Sequence, residues 1–587
     1  MIPTELRLAS RFAKRKTMYR ILPLLTLPLL VASPSLAQAQ TLSPAQTAQV
    51  DKIFAQWNRT GSPGCALGVY QDGHILYSHG YGMANLNDDV PITPQTVFHV
   101  ASMSKQFTAF SILLLQAQGK LSLDDDVHKY IPELQDFGVP ITLRQMMHHT
   151  SGLRDQWALL GYAGWRYSQD LITDDDVLSV VTRQKSLNFT PGEKFMYSNT
   201  GFTLLAQVVK RVSGMSLREF TTKNIFVPLG MTHTHFRDDH EEVIKHDALG
   251  YEQPGPGAPF RMNLTNFDTV GATSLHTTVE DLQLWDENFY HPKVGSPALI
   301  QQMLQQDKFN NGKLEDYAAG LEIGTYRGLP TVDHNGGDAG YRSDLTRFPE
   351  QHFSASVLCN FADTNPTDLV RQIADIVLAK NFKETKNAPA RDAGQQPAKT
   401  LPDLPITPDQ MTAIAGGYWD RDQQFASITI RDGKLMLEVN DNDFHQLKQF
   451  SPSHFLVADE PWGDQIDLHF LPADQGKPRR IEETSAGDPA TFTIVDFPPL
   501  TAAQLNDYTG PYVSDEIDPV YRIAVQNGTL VLTRLKFGAD ILHFVAKDVF
   551  VGDTGKITFS RDASQHIGGF SLDADRIQNL KFAKRPN

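Results

Sequence analysis

Apolar positions mark out elements before any chemistry is considered. Met103, Phe107, Phe110, Leu113, Leu114 and Ala117 recur at helical spacing and stop at Gly119, which predicts a helix opened by Ser102. Phe202, Leu205, Ala206, Val209 and Val212 fall on one face of another helix, which begins at Asn199 and ends at Gly214. Thr47–Trp57 reads as a helix, and Thr278 with Asp281 gives a capping-box-like start to the one carrying Leu282 and Trp285. Asp124–Tyr130, Leu143–His149 and Val177–Thr182 read as short helices in an irregular stretch. Strand patterns occupy Cys65–Tyr70 and His74–Tyr81, around the turn Gln71-Asp72-Gly73. They return near Leu321–Tyr326, Thr331–His334, Ser343–Phe348 and Phe353–Asn360, before a closing helix at about Thr367–Ala379. Strands at both ends with helices between them imply an α+β domain, with one antiparallel sheet built from both termini and a helical subdomain beside it.

Residues 383–409 read as a linker, since Pro389, Pro397, Pro402, Pro405 and Pro408 interrupt a polar, aperiodic stretch. Beyond it the chain repeats itself. Gln410-Met411, Gly416 and Tyr418 recur as Gln504-Leu505, Gly510 and Tyr512, 94 residues on. Ile428, Gly433-Lys-Leu435 and Phe455 recur as Ile523, Gly528-Thr-Leu530 and Phe550, 95 residues on. Alternating strands around Asp432-Gly433 and Asn527-Gly528 predict two small antiparallel β-barrels or sandwiches, 410–498 and 499–587, separate from the catalytic core.

The chain has 587 residues, 68 acidic against 53 basic, a formal charge of −15 and 41% hydrophobic residues. That is a globular, multidomain composition without the basic stripe that nucleic acid or an anionic membrane requires. Residues 1–39 read as a secretory signal peptide. Arg7, Arg11, Lys14, Arg15, Lys16 and Arg20 precede an apolar run from Ile21 to Ala32, then Ser35-Leu-Ala37 and Ala37-Gln-Ala39. Met18 is an alternative start giving a shorter leader, and a membrane anchor is disfavoured by the short run with Pro23 and Pro28. The expected location is periplasmic or secreted, with no lipid anchor, since no cysteine lies near the cleavage point.

Three motifs in order carry the chemistry: Ser102-Met-Ser-Lys105, Tyr197-Ser-Asn199 and His334-Asn-Gly336. Ser-x-x-Lys alone is weak, expected roughly once or twice by chance in a chain this long. Its place at a helix start strengthens it: residues three apart share a face, so Lys105 sits one turn above Ser102. A lysine with a depressed pKa can take the proton that makes a hydroxyl nucleophilic. Against this stand plainer roles: helix cap for Ser102 and Asn199, surface charge for Lys105, packing for Tyr197. His148-His149 suggests a metal, but no spaced third ligand accompanies the pair in sequence, and neither a metal nor an organic cofactor is expected. Asp124–Asp126 and Asp174–Asp176 read as solvated helix starts, and Trp157, Tyr162, Trp165 and Tyr167 as a mixture of subdomain core and cleft lining.

The motif order resembles the β-lactamase-related serine hydrolases, which include penicillin-binding DD-peptidases, class C β-lactamases, D-aminopeptidases and several esterases. Met147-His-His-Thr-Ser-Gly-Leu153 and Gly271-Ala-Thr-Ser-Leu-His-Thr-Thr-Val-Glu-Asp281 resemble that family too, and the likeness runs over residues 40–382. The resemblance implies Ser102 as nucleophile, with Lys105 and Tyr197 as proton carriers. It places oxyanion donors at the backbone N–H groups of Ser102 and Gly337, beside Gly336, and gives Asn199 a hydrogen bond to Lys105 or to a substrate amide. His334 departs from the Lys-Thr-Gly of penicillin-binding enzymes and is similar to the D-aminopeptidase and esterase branches, which weakens the expected anchor for a substrate carboxylate. Cys65 and Cys359 read as two buried thiols; the family's sheet order, which sets first strand beside last, makes a disulfide the alternative. The C-terminal repeats resemble the lipocalin-like domains of some family members.

The expected activity is that of an exported serine hydrolase on peptide, amide or ester substrates, D-amino-acid or peptidoglycan-derived peptides first. Esterase or weak β-lactamase action is the alternative, and a cell-wall peptide or β-lactam sensor is the alternative of another class.

Overall fold

The computed structural model describes residues 41–255, 257–383, 404–422, 424–440, 443–457, 467–474, 477–484, 490–495 and 499–586. The leader and most of the linker read from the sequence lie outside these residues. Across the six-stranded antiparallel sheet the order is Glu322–Tyr326, Leu329–Asp338, Tyr341–Phe348, Phe353–Cys359, Cys65–Gln71 and His74–Tyr81. Both ends of the domain therefore meet in the middle of one sheet, as strands at each end of the sequence predict.

Strand alternation divides the core in two. On the first strand Ala66 and Tyr70 face the helical subdomain, while Cys65, Leu67 and Val69 face the opposite layer. That second layer is closed by the helices Pro44–Ile53 and Pro366–Val377, through Val50, Phe54, Val370, Ile373 and Ala374. The register sets Cys65 directly opposite Cys359, and the two form a disulfide. The expectation of two free thiols is thus corrected: adjacency of first and last strands decides it, and that adjacency is a property of the sheet.

In the subdomain, the helix Ser104–Ala117 packs against the helix Asn199–Ser213, and most of its residues are buried, Lys105 among them. Gly214 ends the second helix in the left-handed conformation, φ 73°. Asp124–Tyr130 forms only a 3₁₀ turn at Val127–Lys129; Asp126 caps it, and Asp125 bonds to the Ser122 N–H and the Tyr130 hydroxyl instead of continuing a helix.

The C-terminal repeats are two closed eight-stranded antiparallel barrels, running from Gly416 to Ile494 and from Gly510 to Lys584. The repeated residues have repeated jobs. Gln410 and Gln504 complete capping boxes with Thr407 and Thr501, at the start of a short helix before each barrel. The buried Tyr418 and Tyr512 donate to the carbonyls of Ile414 and Tyr508. Asp432-Gly433 and Asn527-Gly528 all take positive φ, as tight hairpin turns require.

The barrels differ in their surroundings. The first has its own core, whereas the apolar cluster of the second is continuous with that of the catalytic domain. Arg154 is buried between the two. Its guanidinium donates to Glu516 (2.5 Å), to Gln184 (2.6 Å), and to the carbonyls of Gln578 (2.8 Å) and Asn579 (3.0 Å). Tyr162 donates to Thr554 O, and Tyr521 to Tyr162 O. Part of the Trp157–Tyr167 aromatic stretch is therefore barrel contact, a role its sequence did not suggest. The second repeat thus packs against the catalytic domain, while the apolar cluster of the first is its own.

Candidate active site

Ser102 lies in a 3₁₀ turn, Ala101–Met103, just before the helix that carries Lys105. Ala101 takes φ 48°, a conformation that costs energy for a residue with a Cβ and is held by its surroundings. Ser104 Oγ donates to Ala101 O (2.6 Å) and accepts from Leu275 N (3.0 Å). Ser343 Oγ donates to Val100 O (2.8 Å), tying the turn to the sheet.

Lys105 Nζ is 3.0 Å from Ser102 Oγ, 2.9 Å from Asn199 Oδ1 and 2.8 Å from Ala272 O. Burial lowers its pKa to about 7, against the opposing fields of Asp338 and Asp155 and with help from Arg576. Tyr197 is half-buried and hydrogen-bonded to Ser102; burial raises its pKa, so the phenol is protonated. Asn199 has both ends of its amide engaged inside the protein, since Nδ2 and the backbone N–H both donate to Asp155 Oδ2, at 2.8 and 2.7 Å. Asp155, rather than Asn199, thus satisfies the free N–H at that helix start.

His334 is buried on its strand. Nδ1 donates to Asn335 O (2.6 Å), which leaves Nε2 to accept from the Tyr317 hydroxyl (2.8 Å). Burial first, then Lys105, lower its pKa to about 3, so it is uncharged rather than partly charged. Gly336 packs against the Ser102 turn: a Cβ there would stand 2.4 Å from Val100 O and 3.0 Å from Ser102 N. Gly337 follows on the same strand and is exposed.

The structure thus gathers Ser102, Lys105, Tyr197, Asn199, His334, Gly336 and Gly337 at the junction of helix, loop and strand. It adds groups the motifs did not single out. Asp338 accepts from His99 Nε2 (2.9 Å), Thr273 Oγ1 and the Tyr167 hydroxyl, which places Tyr167 beside the site. His149 accepts from Ser198 N through Nδ1 (3.1 Å) and packs its ring 4.1 Å from that of Tyr197. Asp155 and Asp338 each lie next to a motif and were within reach of sequence reading; Tyr317 and Arg576 carry no local signal. His148 meets Glu315 at 2.5 Å, with Asp307 close by, so a third candidate ligand that sequence spacing did not show is supplied by the fold.

A hydroxyl and a phenol around a buried amine, under a glycine strand, have the make-up of a serine hydrolase site. The family described as Beta-lactamase matches residues 50–380, and the chain belongs to that family as one of its serine hydrolases. It is 30% identical to penicillin-binding protein 4* of Bacillus subtilis (strain 168) over 383 residues, covering 63% of this chain and 82% of that one. It is 28% identical to a D-aminopeptidase of Gluconobacter oxydans (strain 621H), covering 51% of this chain and 56% of that one. In structure it is similar to the octameric penicillin-binding protein homologue from Pyrococcus abyssi, with TM-score 0.53 and 21% identity over 76% of this chain and 99% of that one, a likeness of fold.

Proposed function

We propose that the protein cleaves peptide, amide or ester bonds through an acyl-enzyme on Ser102, with D-amino-acid peptides as the favoured class. One observation carries this: a buried lysine with pKa about 7 has two acceptors, Asn199 Oδ1 and Ala272 O, for the two N–H bonds of its neutral form. The remaining lone pair then faces Ser102 Oγ and accepts its proton. As Oγ bonds to the substrate carbonyl carbon, the carbonyl oxygen takes negative charge beside the backbone N–H groups of Ser102 and Gly337. Tyr197 gives its proton to the leaving group as the carbonyl–leaving-group bond breaks, and recovers one from the Lys105 ammonium. Water, activated by the same groups, releases the acyl chain.

The D-aminopeptidase likeness supports a peptide substrate. Simple esters are the second reading, favoured by the uncharged His334, which offers no fixed charge on the strand. An exported enzyme, periplasmic or secreted, fits the N-terminal charge and apolar order together with the Cys65–Cys359 disulfide.

A fluorophosphonate probe is expected to add one label, at Ser102, by intact-protein and peptide mass spectrometry. Lys105→Ala and Tyr197→Phe are expected to slow labelling at least about a hundredfold while keeping the native circular dichroism spectrum. Equal labelling of Ser102→Ala sinks the reading.

A further inference from the structure

The second barrel brings a residue into the site from the far end of the chain. Its strands Ile567–Ala574 and Ile577–Lys584 are joined by a hairpin turn at Asp575-Arg576. The catalytic domain pins this turn by its backbone: Asn188 Nδ2 donates to Arg576 O at 2.9 Å, and Gln578 N donates to Asn188 Oδ1 at 2.8 Å. Arg154, whose neighbour Asp155 holds Asn199, clamps the carbonyls of Gln578 and Asn579 on the same hairpin. So fixed, the Arg576 guanidinium lies 5.1 Å from the centre of the Tyr197 ring. It is close enough to bear on Lys105, Tyr197 and His149 together.

Arg576 is not consumed by the protein. Its side chain is 38% exposed, and among the described residues its ion-pair partner is Asp575, Nε to Oδ2 at 3.3 Å, a carboxylate itself 86% exposed. Such a solvent-facing neighbour on the same turn contributes little and is readily exchanged for a better placed anion. The other cations bordering the site are occupied differently. Lys105 is engaged with Ser102, Asn199 and Ala272, while Arg342 donates through Nη1 to the carbonyls of Ala339 and Tyr341 and stands beside the strand at Gly337 rather than beside Tyr197. The strand residue that would anchor a carboxylate is the uncharged His334. A planar guanidinium with free donors, fixed beside the phenol that serves the leaving group, matches a carboxylate in geometry and charge.

We infer that Arg576 determines specificity, by binding a carboxylate carried on the leaving-group side of the scissile bond. The preferred substrates are then acyl compounds whose leaving group ends in a free carboxylate, and a cationic amine at that position is rejected. The inference rests on the acyl-enzyme reading above and adds to it the charge of the substrate. It also gives the docking of the second barrel a purpose, because that barrel adds a cation beside Tyr197.

The test uses the full-length chain and a matched pair of thioesters, N-acetyl-D-alanyl thioglycolate and its thioglycolamide, which differ only in the leaving-group carboxylate. The wild type is expected to favour the carboxylate at least about tenfold in kcat/KM, and Arg576→Gln to lower that ratio about tenfold or more. Arg576→Lys, which restores charge, is expected to recover part of the ratio, and Arg576→Glu to reverse the preference. A structural or pKa-tuning role slows both substrates alike; an unchanged ratio in Arg576→Gln, or no preference in the wild type, overturns the inference. Fluorophosphonate labelling of Ser102 is run in parallel. If the wild type labels at Ser102 and the ratio does not respond, the inference alone fails; if Ser102 does not label, the acyl-enzyme reading has failed first.

Discussion

Burial alters the chemistry of Lys105 in the direction a base requires. Burial destabilises its ammonium, so its pKa falls to about 7 from an ordinary lysine value near 10.5. In the proposed reaction the base is the deprotonated amine, which accumulates as pH rises, so acylation should climb about tenfold per pH unit below 7 and level off above it. His334, at about 3, and His149, also pushed well down by burial, stay neutral through that window and contribute no inflection. Stopped-flow labelling of Ser102 between pH 5 and 9 checks this; a flat profile, or an inflection near 10, removes Lys105 as the base. The Ser102–Lys105 pairing was legible because residues three apart share a helix face. The pKa was not, because it follows from burial of the lysine by other elements, with smaller effects from Asp338, Asp155 and Arg576.

Among the elements, the strand Leu329–Asp338 is the most constrained by the site. Gly336 lies against the turn that presents Ser102, and a methyl group there would collide with Val100 O and with Ser343 Oγ, at 2.4 and 2.6 Å. Gly336→Ala must therefore push the strand from the turn, and misplacement on that scale costs on the order of a hundredfold in rate. Slower labelling of Ser102, with melting lowered only modestly, by about 1–3 kcal/mol of stability, is the expected outcome. A variant that labels at the wild-type rate would show that the strand does not border the reacting carbonyl. The glycine pair after His334 was visible as a motif, as were the strands at both ends of the domain and the helices at Ser104 and Asn199. The 3₁₀ geometry at Ala101–Met103 and the loss of most of the Asp124–Tyr130 helix were not, since both depend on side chains bonded to backbone in place of the next helical turn.

For the whole molecule, the second barrel packs against the catalytic domain. Arg154 and Glu516 form a buried ion pair across the contact, with 0% and 4% of the side chains exposed. Removing one partner strands the other charge away from water, a loss of about 3–5 kcal/mol when such a pair is broken. Arg154→Ala should lower the unfolding free energy by that amount in urea titration, and a chain ending at Lys383 should melt earlier than the full chain and label more slowly. Wild-type stability of both proteins would make the contact incidental.

Sequence alone indicated most of the elements and the motif residues that the fold brings together, because helical and strand periodicity, capping residues and the Ser-x-x-Lys spacing act over a few neighbouring positions. It also revealed two homologous barrels, since a repeat needs only comparison of the chain with itself. Tertiary structure decided what lies opposite what: Cys65 against Cys359, Asp155 on Asn199, Tyr317 on His334, and Arg576 over Tyr197. These pairs are far apart in the chain and carry no shared periodicity. They arise from strand order and from the docking of one hydrophobic surface on another, which no local pattern encodes.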